Sequence, residues 1–218
     1  MKVIHASASL LDVQTMADGI RLLEKIEWCG RISHRSEERQ ALGTWERFLT
    51  SVVLGHGDWS IVEHASATVD ATVDRGITHE WVRHRLFSYT QESTRFVNYD
   101  KKLGLNFIEP PSMTDDQRSL WLASIEDASS QYVRMIANGC TPQIARSVLP
   151  NALASRLIVT GNLRNWRHFL NLRVTKETHP QMREVTIPLL RQFQERIPLL
   201  FEDIVPQDTQ SNAMQRPR

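Results

Sequence analysis

The chain has 218 residues, and its 26 Lys and Arg nearly cancel its 25 Asp and Glu, which leaves a formal net charge of +1. Proteins that coat nucleic acid or lie on acidic membranes carry a clear basic excess, so neither partner is expected. No apolar stretch approaches the roughly 18–20 residues of a membrane span, and two cysteines cannot build a disulfide framework. We expect a cytoplasmic protein with one domain over residues 1–205 and a polar, flexible tail over residues 206–218.

Hydrophobic periodicity predicts the elements in chain order. Strand-like alternation covers residues 3–9, 65–74 and 153–160, and another short strand ends at the prolines that follow Asn106. Helical spacing covers residues 15–28, 36–55, 78–86, 115–137, 143–148, 163–172 and 181–200. Ser36 is the expected N-cap of the second helix, Pro188 is expected to kink the last one, and residues 87–95 are expected to be a polar connection. Helices dominate and no βαβ alternation is present, which favours an α+β domain.

Several familiar sites are missing from the sequence. The nine glycines form neither G-x-G-x-x-G nor a phosphate loop, so a dinucleotide must be held without a Rossmann fingerprint. His79 and His84 are one residue too far apart for a zinc-protease pair, because five helical positions separate two side chains by about 140°. No metal site is expected. Cys29 and Cys140 stand beside no candidate base and are interpreted as packing residues rather than nucleophiles.

The strongest feature is the segment of residues 83–96, Arg-His-Arg-Leu-Phe-Ser-Tyr-Thr-Gln-Glu-Ser-Thr-Arg-Phe. It holds three arginines and a histidine, with Glu92 as the one acid. Its flanking residues, Trp81 and Val82 before and Phe96 and Val97 after, are apolar and expected to be buried. Arginines near buried surface need anionic partners, which predicts a phosphate-bearing ligand. The alternative is a solvated basic loop.

This segment also resembles a known family. Arg83-His84-Arg85, seven residues and then Ser93 match the R-H-R-x7-S signature of the flavin-dependent thymidylate synthases. Three further blocks follow the family's order: residues 56–64, the A-R-x-x-L-P of residues 145–150, and residues 162–173. The resemblance implies a central, mostly antiparallel sheet flanked by helices, and a homotetramer whose sites are shared between chains.

The resemblance also implies an activity and its residues. The family methylates dUMP to dTMP with carbon from methylenetetrahydrofolate and reducing equivalents that pass from NADPH through bound FAD. The residues that it implies for dUMP are Glu80, Trp81, Val82, Arg83, Gln91, Glu92, Ser93, Thr94, Arg95, Arg146 and Arg173. The residues that it implies for FAD are Ser60, Glu63, Arg83, His84, Arg85, Gln91, Asn162, Arg164, His168 and His179.

Arg173 is the expected catalytic residue. A guanidinium at the N3–C4–O4 edge of uracil stabilises the negative charge that develops as C5 becomes nucleophilic. Three positions depart from the family: Gln91 stands where a carboxylate is common, Phe96 where Tyr is frequent, and His168 where Asn is frequent. Two other functions stay open, namely a nucleotide- or RNA-binding module and a flavoprotein oxidoreductase without methyl transfer.

Overall fold

The computed structural model describes residues 1–100 and 104–207. The strands are β1 Lys2–Ile4, β2 Ser7–Leu10, β3 Ser66–Asp74, β4 Ser88–Gln91, β5 Asn106–Ile108 and β6 Ala154–Asn162. The α-helices are α1 Met16–Ile32, α2 Thr44–Leu49, α3 Arg75–Trp81, α4 Asp115–Ala137, α5 Pro142–Ala145, α6 Leu163–Arg173 and α7 Pro180–Arg196. Residues 208–218 of the predicted tail lie outside the described residues, and the predicted boundary after residue 205 stays a prediction.

The strands form two sheets. β1 pairs in parallel with β5, in the register Lys2 with Asn106. The other sheet has four strands in the order β2-β3-β6-β4. β3 and β6 run antiparallel, because residue numbers rise along one strand as they fall along its partner. At one end, the Leu163 N–H donates to the Ala65 carbonyl oxygen, and the Thr68 and Thr160 hydroxyls then bond each other. At the other end, the Arg75 N–H donates to the Leu153 carbonyl oxygen. The predicted α+β class is confirmed.

The main helices begin where the sequence supplies a cap. Thr15 and Asp18 form a capping box at the start of α1, and Thr114 and Gln117 form one at the start of α4. Asp74 accepts a hydrogen bond from the Ile77 N–H and so begins α3 directly after β3. α3 then leads to the predicted ligand segment, which starts at Arg83 after the helix ends at Trp81.

The predicted helix over residues 36–55 is wrong in its first part. Ser36 makes no capping hydrogen bond, and a single 3-10 turn, Glu37–Arg39, follows it. Gly43 then adopts a left-handed φ of 77°, which interrupts a helix and suits glycine. α2 starts only at Thr44 and continues as a π-helical turn over Thr50–Gly55.

Three other predicted boundaries also need correction. The predicted strand over residues 3–9 is two strands, β1 and β2, which belong to different sheets. The predicted helix over residues 78–86 starts at Arg75 and ends at Trp81, so the Arg-His-Arg motif follows the helix. The polar connection over residues 87–95 contains the strand β4, whose side chains alternate between exposed and half-buried.

The chain folds into two compact units. Among the described residues, the first unit comprises residues 1–7, 70–84, 89–100 and 104–158, and the second comprises residues 8–69, 85–88 and 159–207. Phe107, Ile125 and Tyr132 are central to the core of the first unit. In the second unit Trp166 packs against Phe193 with ring centroids 5.4 Å apart. Within the described residues, no helix is both long enough and apolar enough to cross a bilayer.

Candidate active site

A cavity of about 420 Å³ lies in the first unit. Arg75, Thr94, Gln143 and Arg146 line it together with residues 149–151. Thr94 and Arg146 belong to the predicted dUMP set, whereas Arg75 and Gln143 lie outside every motif used in the sequence analysis. Guanidinium groups and a hydroxyl around one concavity suit a phosphate, because their hydrogens donate to its oxygens.

Hydrogen bonds to neutral groups hold Arg146, which lines the cavity, and the nearby Arg95. Arg146 donates from Nη1 to Oγ1 of Thr94 at 3.1 Å. Arg95 donates from Nε to Oε1 of Gln143 at 3.2 Å. Across residues 1–100 and 104–207, neither of these guanidinium groups nor that of Arg75 pairs with a carboxylate. They keep their positive charge, so the cavity favours an anionic ligand.

Gln91 and Glu92 direct their side chains to different surroundings. Nε2 of Gln91 donates to the hydroxyl oxygens of Thr78 and Ser155 at 3.0 and 3.1 Å. The Glu92 carboxylate accepts a 2.6 Å hydrogen bond from the Tyr99 hydroxyl in a second cavity of about 360 Å³. Burial and the neighbouring Glu92 both raise the pKa of Tyr99, so this phenol stays a donor at neutral pH. The Glu92 side chain therefore does not line the cavity of Thr94 and Arg146.

The Arg-His-Arg motif begins a loop that a half-buried tyrosine, Tyr89, holds in place. The Tyr89 hydroxyl lies 2.8 Å from the carbonyl oxygen of Trp81 and 2.7 Å from that of His84. Burial raises the pKa of Tyr89 to about 12, so the hydroxyl keeps its proton at neutral pH. The prediction that all flanking residues are buried is wrong, since Val82 is 38% and Phe96 is 77% exposed. Only Trp81 is fully buried, and its side chain belongs to the core.

The helical angle between His79 and His84 does not apply, because α3 ends between them. Within the described part of the chain, no group of three or more His, Cys, Asp or Glu side chains is placed to hold a metal ion.

In the second unit, the 3-10 helix Trp59–His64 and α6 carry four predicted flavin residues. Arg164 donates to the Glu63 carboxylate at 2.5 Å and so joins the two elements. The Asn162 side chain caps α6 by accepting from the Asn165 N–H at 2.8 Å. Ser60 is exposed on the same 3-10 helix. These groups form a hydrogen-bonding surface at the start of α6.

The end of α6 holds Arg173, which is half-buried. Its carbonyl oxygen accepts a hydrogen bond from the Thr186 hydroxyl of α7 at 2.8 Å, which fixes the backbone at this position. At the start of α6, a Cβ on Gly161 would lie 2.3 Å from the Phe87 ring. Only glycine permits this close approach, which positions residues 85–88 in the second unit.

Comparison with known proteins decides the family. The family model described as thymidylate synthase complementing protein matches residues 18–199. A flavin-dependent thymidylate synthase of Mycobacteroides abscessus is 37% identical in an alignment of 214 residues that covers 88% of this chain and 83% of that protein. The chain belongs to the flavin-dependent thymidylate synthase family. The family member of Mycobacterium tuberculosis is 33% identical in an alignment of 211 residues that covers 87% of this chain and 81% of the relative.

A solved structure supports the fold. The UMP/dUMP methylase PolB from Streptomyces cacaoi, solved with 5-Br dUMP, superposes with a TM-score of 0.76 at 23% identity. The match covers 93% of this chain and 96% of that one. The prediction of an α+β domain with an antiparallel sheet flanked by helices is confirmed, whereas the predicted homotetramer stays a prediction.

The predicted dUMP and FAD residues are distributed over both units. The first unit contains Glu80, Trp81, Val82, Arg83, His84, Gln91, Glu92, Ser93, Thr94, Arg95 and Arg146. The second unit contains Ser60, Glu63, Arg85, Asn162, Arg164, His168, Arg173 and His179. His179 is the N-cap of α7, and its Nδ1 accepts from the Gln181 N–H at 3.3 Å. That bond indicates a structural use of this nitrogen.

The second unit fits a flavin by its chemistry. FAD presents phosphate oxygens and a ring edge with both donors and acceptors, so its site needs cationic, hydroxyl and carboxylate groups together. Ser60, Glu63 and Arg164 supply these three types on two elements joined by an ion pair. Ser60 and His168 are exposed, so their side chains are accessible to a ligand.

Proposed function

We propose that the chain converts dUMP to dTMP by reductive methylation. Methylenetetrahydrofolate donates the carbon, NADPH donates the reducing equivalents, and tetrahydrofolate and NADP⁺ are the other products. When bound, FAD supplies the hydride that reduces the transferred methylene group to methyl. The observation that carries the proposal is the cavity of Arg75, Thr94 and Arg146, whose guanidinium groups have no carboxylate partners among the described residues. Residues 1–205 form the catalytic domain in this proposal.

The chain's own residues bind and orient the nucleotide. Arg146 and Arg95 bind the phosphate of dUMP, together with Thr94 and Ser93. Ser93 already accepts the Arg95 N–H at 3.3 Å and so shapes the turn that presents these groups. Ser60, Glu63 and Arg164 bind the flavin.

Arg173 stabilises the negative charge that builds on the uracil ring when C5 attacks. One well-placed donor of this kind is worth about 3–4 kcal/mol in the transition state. Replacement by Lys keeps the charge but loses the planar, paired donors. In this proposal no cysteine takes part, in agreement with the positions of Cys29 and Cys140 outside the motifs.

The proposal is tested by incubating flavin-loaded enzyme with dUMP, methylenetetrahydrofolate and NADPH and measuring dTMP by chromatography. We expect dTMP with wild type and with the Cys29→Ala/Cys140→Ala double variant. Arg173→Lys should lower kcat by about 100-fold or more while dUMP still perturbs the flavin spectrum. Flavin reduction by NADPH without dTMP would instead identify an oxidoreductase, and a colourless protein that binds dUMP would identify a binding module.

We also propose that the active species is a homotetramer with sites shared between chains. The exposed apolar side chains of Leu86 and Phe96, both 77% accessible, support this, because oligomer contacts commonly cover such groups. Closed symmetry would repeat the same contact in every subunit. Light scattering with and without FAD tests the proposal. A fully active, flavin-bound species near the 25.1 kDa chain mass would contradict it.

A further inference from the structure

A separate cavity lined by arginines lies within the second unit. Its volume is about 460 Å³, and its lining comes from the end of α1, the 3-10 turn Glu37–Arg39, α2 and the π-helical turn that continues α2. The lining residues include Arg31, Arg39, Thr44, Arg47, Phe48 and Ser51. None of them belongs to the residues predicted for dUMP or FAD, so the proposed function leaves this cavity unassigned.

A buried carboxylate fixes one side of the cavity. Glu27 is 0% exposed, and its Oε1 accepts hydrogen bonds from Nε and Nη2 of Arg31 at 2.8 and 2.6 Å. Its Oε2 accepts from the Thr44 hydroxyl at 3.0 Å. The Arg31 guanidinium also lies over the Phe48 ring, 4.8 Å from its centroid. Arg31 is therefore held in position, and Glu27 compensates its charge.

The other two arginines add charge that no hydrogen-bonded carboxylate compensates. Within the described residues, the Arg47 guanidinium forms neither an ion pair nor a hydrogen bond. Arg39 approaches the Glu38 carboxylate at 3.6 Å, which is too long for a hydrogen bond. These two side chains are 76% and 67% exposed, so water screens their attraction. Two guanidinium groups thus bring positive charge to one small cavity.

This arrangement favours an anion in the cavity. Like charges around one concavity repel each other, and an anion between them removes that repulsion. Further donors are available, because the Nη1 hydrogens of Arg31 and the Ser51 hydroxyl have no partner in the part of the chain that the structure describes. Guanidinium and hydroxyl groups together suit a phosphate, whose oxygens accept from several donors at once.

We propose that this cavity is a second anion site, which binds the phosphate group of a small molecule other than dUMP and FAD. Its volume lies within the range of roughly 300–1,000 Å³ that small-molecule sites occupy. A free inorganic ion and the phosphate end of an organic molecule share the chemistry that the site recognises. The site goes beyond the proposed function, in which neither Arg39 nor Arg47 takes part.

The test is a calorimetric titration of flavin-loaded enzyme that is saturated with dUMP, in phosphate-free buffer at low salt. Saturation with dUMP keeps the probes, inorganic phosphate and ribose 5-phosphate, out of the cavity of Arg75 and Arg146. Wild type should bind at least one probe at one site per chain. Tighter binding of ribose 5-phosphate would identify an organic ligand, and equal or weaker binding would identify an inorganic ion. Binding of neither probe would overturn the proposal.

Variants then assign the bound probe to this cavity. Arg39→Gln and Arg47→Gln should each raise its dissociation constant about tenfold, because each loses charge-assisted hydrogen bonds. Ser51→Asp adds a carboxylate to the same lining and should also weaken binding, without removing an arginine. The matched control is Arg21→Gln, since Arg21 is an exposed arginine of the second unit that pairs with Asp18 and lies outside the cavity. This control should bind the probe as wild type does.

An unchanged dissociation constant in both Arg39→Gln and Arg47→Gln would overturn the proposal. An equal loss in Arg21→Gln would do the same, because it would indicate attraction by net charge alone. In phosphate-free buffer, Arg39→Gln and Arg47→Gln should form dTMP at the wild-type rate. Absence of dTMP formation in wild type would contradict the proposed function, whereas binding of the probe depends on other residues and is measured separately.

Discussion

The arginines around the cavity of the first unit are held differently from several arginines of the second unit. In the second unit, Arg164 pairs with Glu63, Arg167 with Asp203 and Arg31 with the fully buried Glu27. Around the cavity of the first unit, Arg146 bonds a threonine hydroxyl and Arg95 bonds a glutamine amide. Both kinds of contact fix the position of a guanidinium, but only the carboxylate compensates its positive charge with a negative one.

The difference indicates where an anion binds from outside the chain. A paired arginine gives a phosphate little net attraction, because a carboxylate already occupies its donors. An arginine held by neutral groups is positioned in advance and stays charged, so less order is lost when the ligand binds. By this criterion we propose that the cavity of the first unit binds the phosphate of dUMP, whereas the paired Arg164 and Glu63 serve the flavin through hydrogen bonds rather than through net charge.

The largest expected effect comes from removing a charge that has no internal partner. Arg146→Gln should weaken dUMP binding by roughly 30-fold, because charge-assisted hydrogen bonds to the phosphate are lost. Its thermal stability should change little, since no carboxylate among the described residues loses a partner. Calorimetric titration measures the affinity. The matched control is Arg156→Gln in the same unit. The Arg156 guanidinium pairs with Asp70 at 2.5 Å, so this substitution should leave the dUMP affinity unchanged.

A smaller effect should follow from converting the cavity into a paired region. Gln143→Glu places a carboxylate where Oε1 now accepts from Arg95 at 3.2 Å. The new ion pair should compete with the phosphate and lower dUMP affinity about tenfold at low salt, and added salt should reduce the difference. Equal affinity of wild type and Gln143→Glu at low salt would show that Arg95 does not bind the phosphate.

How much of this the sequence predicts depends on distance along the chain. The Arg-His-Arg motif, Thr94 and Arg146 are identified from short motifs that resemble those of the family. Arg75 and Gln143 are missed, because only folding brings the start of α3 and the segment after α4 to the same cavity. β4 is missed because Ser88–Gln91 carries no apolar alternation and pairs at the edge of its sheet. The Thr78 and Ser155 contacts of Gln91 connect residues too distant for any local pattern.

The Glu63 and Arg164 pair should contribute little to stability. Their side chains are 46% and 50% exposed, and water screens such a pair to about 1 kcal/mol or less. A double-mutant cycle with Glu63→Gln and Arg164→Gln, measured by urea unfolding without FAD, should give a coupling energy within that limit. A larger coupling would mean that the pair is structural rather than part of an accessible flavin surface.

The smallest effect concerns acid stability. The hydrogen bond from Arg156 lowers the pKa of Asp70, so the folded state keeps this carboxylate ionised to lower pH than the unfolded chain does. The associated stability is present above the unfolded pKa of about 3.9 and is lost as the pH falls through the folded value. Asp70→Asn should therefore lose slightly less stability than wild type between pH 5 and pH 3, measured by urea midpoints. A steeper acid loss in Asp70→Asn would contradict the assignment.

The most direct test of the unpaired arginines as the phosphate site compares dUMP with 2′-deoxyuridine, which differs only by the phosphate. Titration calorimetry should show that the flavin-loaded wild type binds dUMP about 100-fold more tightly, and that Arg146→Gln removes most of this difference. Equal affinity of wild type for the two ligands, or an unchanged difference in Arg146→Gln, would contradict the account.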